Sequence, residues 1–229
     1  MGLDRAGWTC VGQVEIDPFC RRVLDQHWPG VPKHDDVQTC VEWWQAGPRP
    51  VVDAVVGGFP CQPASEAGHR KGATDPRWLW PAMADVVGEI QPTWVVWENV
   101  PGLLTRGLDV VHRDLVQLRY RHRVGWSSAC AVGAPHARRR LFGVAHAESF
   151  RCHSWWRSGS SPKSLESGGR GTQPRGPWAD QPRPDGVAYG VPDGVDRRKG
   201  FGNAVVPQVA QHIGQLINSA LPVGAVDRD

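Results

Sequence analysis

The fold is decided by the stretch Val51-Val52-Asp53-Ala54-Val55-Val56-Gly57-Gly58-Phe59-Pro60-Cys61, in which an apolar run meets a tight loop of glycine and proline. The apolar run predicts a buried strand, and the loop presents Cys61 just beyond its end. Two further stretches have the same form. Residues 10–16 predict a strand that ends at Glu15, and residues 93–97 predict a strand that leads directly into Glu98.

Helical signals separate these strands. Asp17 can cap a helix whose first position is Pro18. Residues 80–90 and 108–118 predict two more helices, and a last amphipathic helix lies near the carboxyl terminus. The apolar positions of this last helix are Val209, Ile213, Leu216 and Ile217.

Strands that alternate with helices predict an α/β fold, with a mostly parallel sheet covered by helices on both faces. In such sheets, ligands bind beyond the carboxyl ends of the strands. Glu15, Cys61 and Glu98 each follow a predicted strand. We therefore expect these three side chains to meet at one edge of the sheet.

Length and composition restrict the class of protein. The chain has 229 residues and 25.2 kDa, which suits one α/β domain with a small appendage. Hydrophobic residues make up 40% and charged residues 21%, which excludes a wholly disordered chain and a membrane protein. The first residues lack the apolar core of a secretion signal, so we expect a cytoplasmic protein.

The cysteines and the charges give weaker signals. The six cysteines form no Cys-x-x-Cys pair, which predicts neither a metal site nor a disulfide framework. The net charge is only +3, but residues 112–140 contain seven arginines and one aspartate. This segment is either a strip that contacts phosphates or an ordinary solvated surface.

Cys61 and Glu98 are the strongest candidates for catalytic residues. A thiol in a loop at a strand end can act as a nucleophile where nearby positive charge favours the thiolate, although a lone loop cysteine is more often inert. A carboxylate at the end of an apolar strand can exchange protons or simply face water. At matching strand ends, the two together predict a nucleophile with an acid/base partner. A thiol redox protein is a weaker alternative, because no second cysteine lies close to Cys61 in sequence.

Four motifs in order resemble those of the DNA (cytosine-5)-methyltransferases. They are Gly57-Gly58-Phe59-Pro60-Cys61-Gln62, Glu98-Asn99-Val100, Arg138-Arg139-Arg140 and Gly202-Asn203-Ala204-Val205-Val206-Pro207. The resemblance covers residues 2–146 and 187–217. It implies a Rossmann-like fold and methyl transfer from S-adenosylmethionine to a cytosine that has been flipped out of duplex DNA.

The resemblance also implies roles for individual residues. Cys61 corresponds to the thiolate that adds to carbon 6 of cytosine, and Glu98 to the residue that protonates ring nitrogen 3. Arg138 and Arg140 correspond to the Arg-x-Arg pair that supports the base and a flanking phosphate, with His136 where the family has glutamine. Asn99 corresponds to the residue that holds the catalytic loop. The residues expected to contact DNA are Gln62, Ser65, Asn99, Arg138 and Arg140.

The cofactor residues follow in the same way. Glu15 resembles the acid that binds the ribose hydroxyls of S-adenosylmethionine, and Ile16 the residue that packs on the adenine. Asp36 resembles the acid that accepts a hydrogen bond from the adenine amino group. The alternative is that Asp36 is an ordinary acidic residue in a surface turn. The expected cofactor set is Glu15, Ile16, Asp36, Val37, Pro60, Asn203 and Val205.

Two departures from the family affect these expectations: one at the amino terminus, and one in the region where the family carries a sizeable target-recognition domain and this chain has a low-complexity stretch. The family begins with a strand and a Phe-x-Gly-x-Gly-Gly loop, and Met1 falls just after that position, so we expect the first strand of the sheet to be missing from this chain.

We divide the chain into a catalytic and cofactor-binding domain (1–147), a low-complexity linker or reduced target-recognition region (148–186) and a carboxyl-terminal motif and helix (187–229). The expected partners are duplex DNA and a cognate restriction endonuclease, for a monomeric enzyme. The alternative is a non-catalytic DNA-binding remnant.

Overall fold

The computed structural model describes residues 1–60, 78–134, 138–150 and 204–221. Within these ranges the fold is α/β, as the sequence predicts. The strands are β1 (Gln13–Val14), β2 (Lys33–His34), β3 (Ala54–Gly57), β4 (Trp94–Asn99), β5 (Tyr120–Ser128) and β6 (Arg139–Ala147). The helices are α1 (Gly2–Arg5), α2 (Pro18–His27), α3 (Cys40–Gln45), α4 (Trp80–Ile90), α5 (Leu103–Arg106), α6 (Leu108–Gln117) and α7 (Pro207–Ala220).

The strands form two hydrogen-bonded groups. β1 and β2 pair in parallel, and a four-stranded sheet has the order β3-β4-β6-β5. In the larger sheet β3 and β4 are parallel, whereas β6 runs antiparallel to both β4 and β5. The sheet is therefore mixed. The expectation of a mostly parallel sheet was wrong for this part of the chain, because β5 and β6 were not predicted and a short connection joins them as an antiparallel pair.

Alternate residues of β4 reach two hydrophobic clusters, one on each face of the sheet. Val95 and Trp97 pack with α4, α5 and α6, whereas Trp94 and Val96 pack with α7. Successive side chains of a strand point to opposite faces, so an almost continuously apolar strand such as β4 requires cover on both sides. The expectation of helices on both faces is confirmed.

Several predicted elements are confirmed at the level of residues. The helix predicted at residues 80–90 is α4, and the one predicted at 108–118 is α6, with Val111 and Leu115 fully buried. Asp17 caps α2 as expected, because its carboxylate accepts from the backbone N–H of Phe19 at 2.9 Å. The predicted strand at residues 10–16 is shorter in the structure and consists of β1 alone.

β1 and β3 lie at the ends of their hydrogen-bonded groups. β1 pairs with β2 and β3 pairs with β4, and the described residues supply no strand on the other side of either. Unpaired backbone N–H and C=O groups at such an edge are able to pair with a further strand. None of the described helices is long and apolar enough to cross a membrane.

Candidate active site

Glu98 is fixed at the carboxyl end of β4 by the antiparallel neighbour β6. It pairs in register with Phe142 and therefore belongs to the strand. The sequence had predicted that Glu98 follows the strand. The Glu98 side chain is 14% exposed, and its Oε1 lies 2.9 Å from Nε of Arg140, which is 22% exposed. A largely buried carboxylate and a largely buried guanidinium therefore form a direct ion pair at the edge where ligands bind in such sheets.

The environment of Glu98 shifts its proton equilibrium toward the protonated form, relative to an exposed glutamate. Burial raises the pKa of its carboxyl above the ordinary value, while the positive charges of Arg140 and Arg138 oppose this effect. The net direction is upward, which means that burial outweighs the two arginines. A carboxyl with a raised pKa keeps more of its proton near neutral pH and can donate it to a buried base.

Arg138 and Arg140 connect Glu98 to the carboxyl-terminal part of the chain. Arg138 donates through Nη2 to the backbone carbonyl of Ala204 at 2.7 Å, just before α7. A small cavity lies between these groups, and Val205 contributes to its wall. The residues that line it are Glu98, Ser127, Ala129, Arg138, Arg140, Phe142, Val205, Val206 and Val209.

The arginine-rich segment 112–140 does not form one surface. Arg139 lies on the opposite face of β6 from Arg140, with its guanidinium over the ring of Trp126. Arg119 and Arg121 lie 3.9 Å from Glu148, at the other end of β5. Of the two alternatives for this segment, a single phosphate-contacting strip therefore does not fit the structure, because strand alternation and register distribute these arginines over different faces and ends of the sheet.

Asn99 holds the loop that leads to Cys61. Its side chain is 4% exposed, and its Nδ2 donates to the backbone carbonyl of Phe59 at 3.1 Å. Its Oδ1 accepts from the backbone N–H of Val100 at 2.9 Å. Because both polar atoms are used within the chain, the geometry favours a loop-holding role for Asn99 over direct contact with DNA.

The same loop passes close to Glu98. A Cβ added at Gly58 would lie 3.4 Å from Oε2 of Glu98, and the next residues are the buried Phe59 and the exposed Pro60. The chain therefore reaches Cys61 directly from the neighbourhood of the Glu98 carboxylate. Cys61 itself lies outside the described residues, as do Gln62, Ser65, His136 and Asn203.

The expected cofactor residues lie at the carboxyl ends of β1 and β2. The parallel register of Val14 with His34 brings the residues that follow, Glu15 and Asp36, to the same edge. The backbone N–H of Asp17 donates to Oε1 of Glu15 at 2.8 Å, which orients the carboxylate. Ile16 is 69% exposed.

Asp36 has a structural task of its own. Its Oδ1 accepts from the backbone N–H of Gln38 at 2.9 Å and caps the short 3-10 helix that begins at the half-buried Val37. One carboxylate oxygen of Asp36 and one of Glu15 thus accept hydrogen bonds from backbone N–H groups of their own loops.

A larger cavity of about 360 Å³ lies away from these residues. Its walls include Asp53 and Thr93, which precede β3 and β4, so it lies toward the amino ends of these strands. None of the predicted site residues lines it, and no group of three or more His, Cys, Asp or Glu in the described ranges could hold a metal ion. Sequence reasoning missed five residues of the small cavity, because strand register and the position of α7 bring them there: Ser127, Ala129, Phe142, Val206 and Val209.

The sequence matches a known family over most of its length. A family model described as C-5 cytosine-specific DNA methylase matches residues 1–170. The chain is 38% identical over 105 residues to the Type II methyltransferase M.HgiCII of Herpetosiphon aurantiacus, a match that covers 45% of this chain and 23% of that protein. It is 31% identical over 164 residues to the Type II methyltransferase M.AquIA of a Picosynechococcus species, which covers 64% of this chain and 66% of that protein. The chain thus spans less than two thirds of these relatives.

Solved structures resemble the fold at lower identity. The Dnmt2 methyltransferase of S. pombe superimposes with a TM-score of 0.53 at 21% identity, over 72% of this chain and 53% of that one. The Entamoeba histolytica methyltransferase EhMeth gives a TM-score of 0.50 at 15% identity, over 63% of this chain and 49% of that one. The Rossmann-like methyltransferase fold expected from the motifs is confirmed by these matches.

Proposed function

The chain belongs to the C-5 cytosine-specific DNA methylase family, and from this premise we propose that it transfers a methyl group to carbon 5 of cytosine in duplex DNA. The observation that supports this function is the ion pair between Glu98 and Arg140, which lies beside the loop that leads into Cys61. Burial raises the pKa of the Glu98 carboxyl, which suits it to protonate a ring nitrogen inside a closed site.

Nucleophilic attack by Cys61 activates the ring in this mechanism. The thiolate sulfur forms a bond to carbon 6, and the electron pair of the C5–C6 double bond moves into the ring as Glu98 gives its proton to nitrogen 3. Carbon 5 becomes nucleophilic in this way. After methylation, a water molecule takes the proton from carbon 5, the C5–C6 double bond re-forms as the Cys61 thiolate leaves, and nitrogen 3 returns its proton to Glu98.

S-adenosylmethionine supplies the methyl group when it is bound. The residues at the carboxyl ends of β1 and β2 fit this molecule, because Glu15 keeps one carboxylate oxygen for ribose hydroxyls and Ile16 offers an exposed apolar side chain to an adenine ring. We assign Asp36 and Val37 to the adenine, and Pro60, Asn203 and Val205 to the remainder of the pocket.

Duplex DNA is the proposed substrate. We assign the base and its flanking phosphate to Arg138 and Arg140, and the surrounding contacts to Gln62 and Ser65. Asn99 acts through the loop that it holds. Since relatives are named Type II methyltransferases, a restriction endonuclease with the same recognition sequence is the proposed biological partner of a monomeric methyltransferase. We retain residues 148–186 as a linker or a reduced target-recognition region between the catalytic domain and the carboxyl-terminal motif.

The proposed function is tested by transfer of radiolabelled methyl from S-adenosylmethionine to mixed-sequence duplex DNA. We expect incorporation by the chain and loss of incorporation in Cys61→Ser and Glu98→Gln. Cys20→Ser, on helix α2, removes a different thiol and should transfer methyl like the parent. Incorporation that persists in Cys61→Ser would contradict the assigned nucleophile.

A second candidate function is DNA binding without methyl transfer. The observation that favours it is that, among the described residues, one edge of β1 and one edge of β3 have no strand partner, so a further strand could pair there. The same assay with a version extended upstream by a strand and a Phe-x-Gly-x-Gly-Gly loop separates the two functions. Transfer by both versions supports the enzyme as it stands, whereas transfer by the extended version alone supports the binding function for this chain.

A further inference from the structure

Ser127 is a buried polar residue to which the family mechanism gives no task. It lies on β5 in register with Arg140 of β6, and its side chain is on the same face of the sheet as the Arg140 guanidinium. It is 5% exposed, and its Oγ has no hydrogen-bond partner among the described residues. A buried hydroxyl without a partner is destabilising, so such groups in proteins almost always bond to an ordered water or a ligand.

The cavity beside Ser127 has the size of one water molecule. Its volume is about 10 Å³, close to the lower limit of about 10–15 Å³ at which a cavity holds a single water. A buried water also requires two to four polar partners. The wall offers the Ser127 hydroxyl, the Glu98 carboxylate and the guanidinium groups of Arg138 and Arg140, with apolar side chains on the remaining sides.

We propose that Ser127 is a positioning residue that holds one water molecule between its hydroxyl and the Glu98 carboxylate. The water accepts from the Ser127 hydroxyl and donates to a Glu98 oxygen, while Arg140 holds the carboxylate from another direction through the 2.9 Å contact. The carboxylate is therefore fixed by two groups on two neighbouring strands. This role rests on the proposed function, in which Glu98 must be oriented toward the target base.

The water also affects how readily Glu98 takes up a proton. A hydrogen bond donated to the ionised carboxylate stabilises that form and opposes the effect of burial, which raises the pKa of Glu98. Without the Ser127 hydroxyl the water loses a partner, and Glu98 binds its proton more tightly. Because one hydrogen bond to a charged group contributes about 1.5 kcal/mol or more, the expected change in the proton-binding constant is about tenfold.

The test measures Glu98 directly by carbon-13 NMR of the whole chain labelled at glutamate carboxyls. The Glu98 signal is assigned by its loss in Glu98→Gln, and its titration is followed in the parent, Ser127→Ala, Ser127→Thr and Ser128→Ala. Ser128 is a matched control, because it is the next residue of β5 and points to the opposite face. Ser127→Cys, which keeps the shape but has a weak donor, replaces the alanine variant if that variant does not fold.

We expect the Glu98 titration to move to higher pH by the tenfold change in Ser127→Ala and to stay near the parent in Ser127→Thr and Ser128→Ala. A parental titration in Ser127→Ala would overturn the inference, and so would an equal displacement in Ser128→Ala. The measurement needs no methyl transfer. A chain that transfers no methyl but shows the expected titrations disproves the proposed function and leaves the water site standing.

Discussion

Replacement of Arg140 by alanine should destabilise the protein in a strongly pH-dependent manner. The variant leaves the Glu98 carboxylate, which is 14% exposed, without the guanidinium that lies 2.9 Å away. Removal of one partner of a buried ion pair typically costs about 3–5 kcal/mol. Since both side chains keep some contact with solvent and Arg138 still acts on Glu98, we expect a loss near the lower end, about 3 kcal/mol, at pH 8.

The pH dependence follows from the direction of the Glu98 pKa. Burial raises this pKa above its ordinary value of 4.5, so the protonated form favours the folded state and stability declines as the pH rises through the folded-state pKa. Without Arg140 the pKa rises further, which makes this decline larger. As the pH falls toward 4.5, a growing fraction of Glu98 is protonated in both parent and variant, so the difference between them should shrink toward the packing of the lost side chain.

Urea unfolding followed by tryptophan fluorescence at pH 8 and at pH 4.5 measures this difference. Arg121→Ala is the matched control, because Arg121 lies on the adjacent strand, is 67% exposed and is 3.9 Å from Glu148, an arrangement that contributes less than about 1 kcal/mol. The double variant with Glu98→Gln should recover most of the loss at pH 8. A destabilisation by Arg140→Ala that is equal at the two pH values would refute the ion-pair reasoning.

Three further predictions use other parts of the sheet. Gly143→Ala should cost about 3 kcal/mol or more in urea unfolding, because its Cβ would lie 1.9 Å from the buried Trp97 ring, whereas Gly125→Ala, with no atom of the described residues within 4 Å of its Cβ, should stay near the parent. Burial and a neighbouring histidine lower the pKa of His122 to about 4 from its ordinary 6.5. As the pH falls, the unfolded chain protonates this imidazole before the folded chain does. The free energy of unfolding of the parent should therefore decrease by about 2 kcal/mol more than that of His122→Gln between pH 7.5 and pH 5, and equal decreases would contradict the buried neutral imidazole. Arg121→Ala should leave the salt dependence of DNA binding unchanged, because Arg121 pairs with His146, about 20 Å along β6 from Arg140; a smaller slope in a filter-binding titration would place phosphate contacts at that end.

The sequence predicts the parts of the fold whose signals are local. Helix α4 begins and ends where its apolar pattern does, and the Asp17 cap follows from residue types at adjacent positions. β5 has a local signal too, since Tyr120, Val124 and Trp126 alternate with Arg121 and Arg123. The arginines of this stretch also suggest one charged segment, and that interpretation hides the alternation and with it the antiparallel part of the sheet.

The residues of the small cavity come together through pairings between distant segments, which no local sequence pattern predicts. Ser127 meets Arg140 only through the register of β5 with β6, and Val209 joins them from α7, which begins at Pro207, far along the chain from both strands. A motif can therefore identify Glu98 and the arginines. It cannot identify a serine on the next strand.

The register of β6 also decides which of three consecutive arginines act on Glu98. Glu98 pairs with Phe142, and Arg140 lies two residues along the same strand and on the same face. This diagonal neighbour is within reach of a long side chain. Arg139, one residue away, points to the other face and lies over Trp126. A slip of one residue would turn Arg140 away from the carboxylate, so the Arg-x-Arg spacing has meaning only together with the Trp97–Gly143 pairing. Because a glycine at position 143 leaves room for the Trp97 ring, the packing of the core and the charge pairing of the site specify the same register.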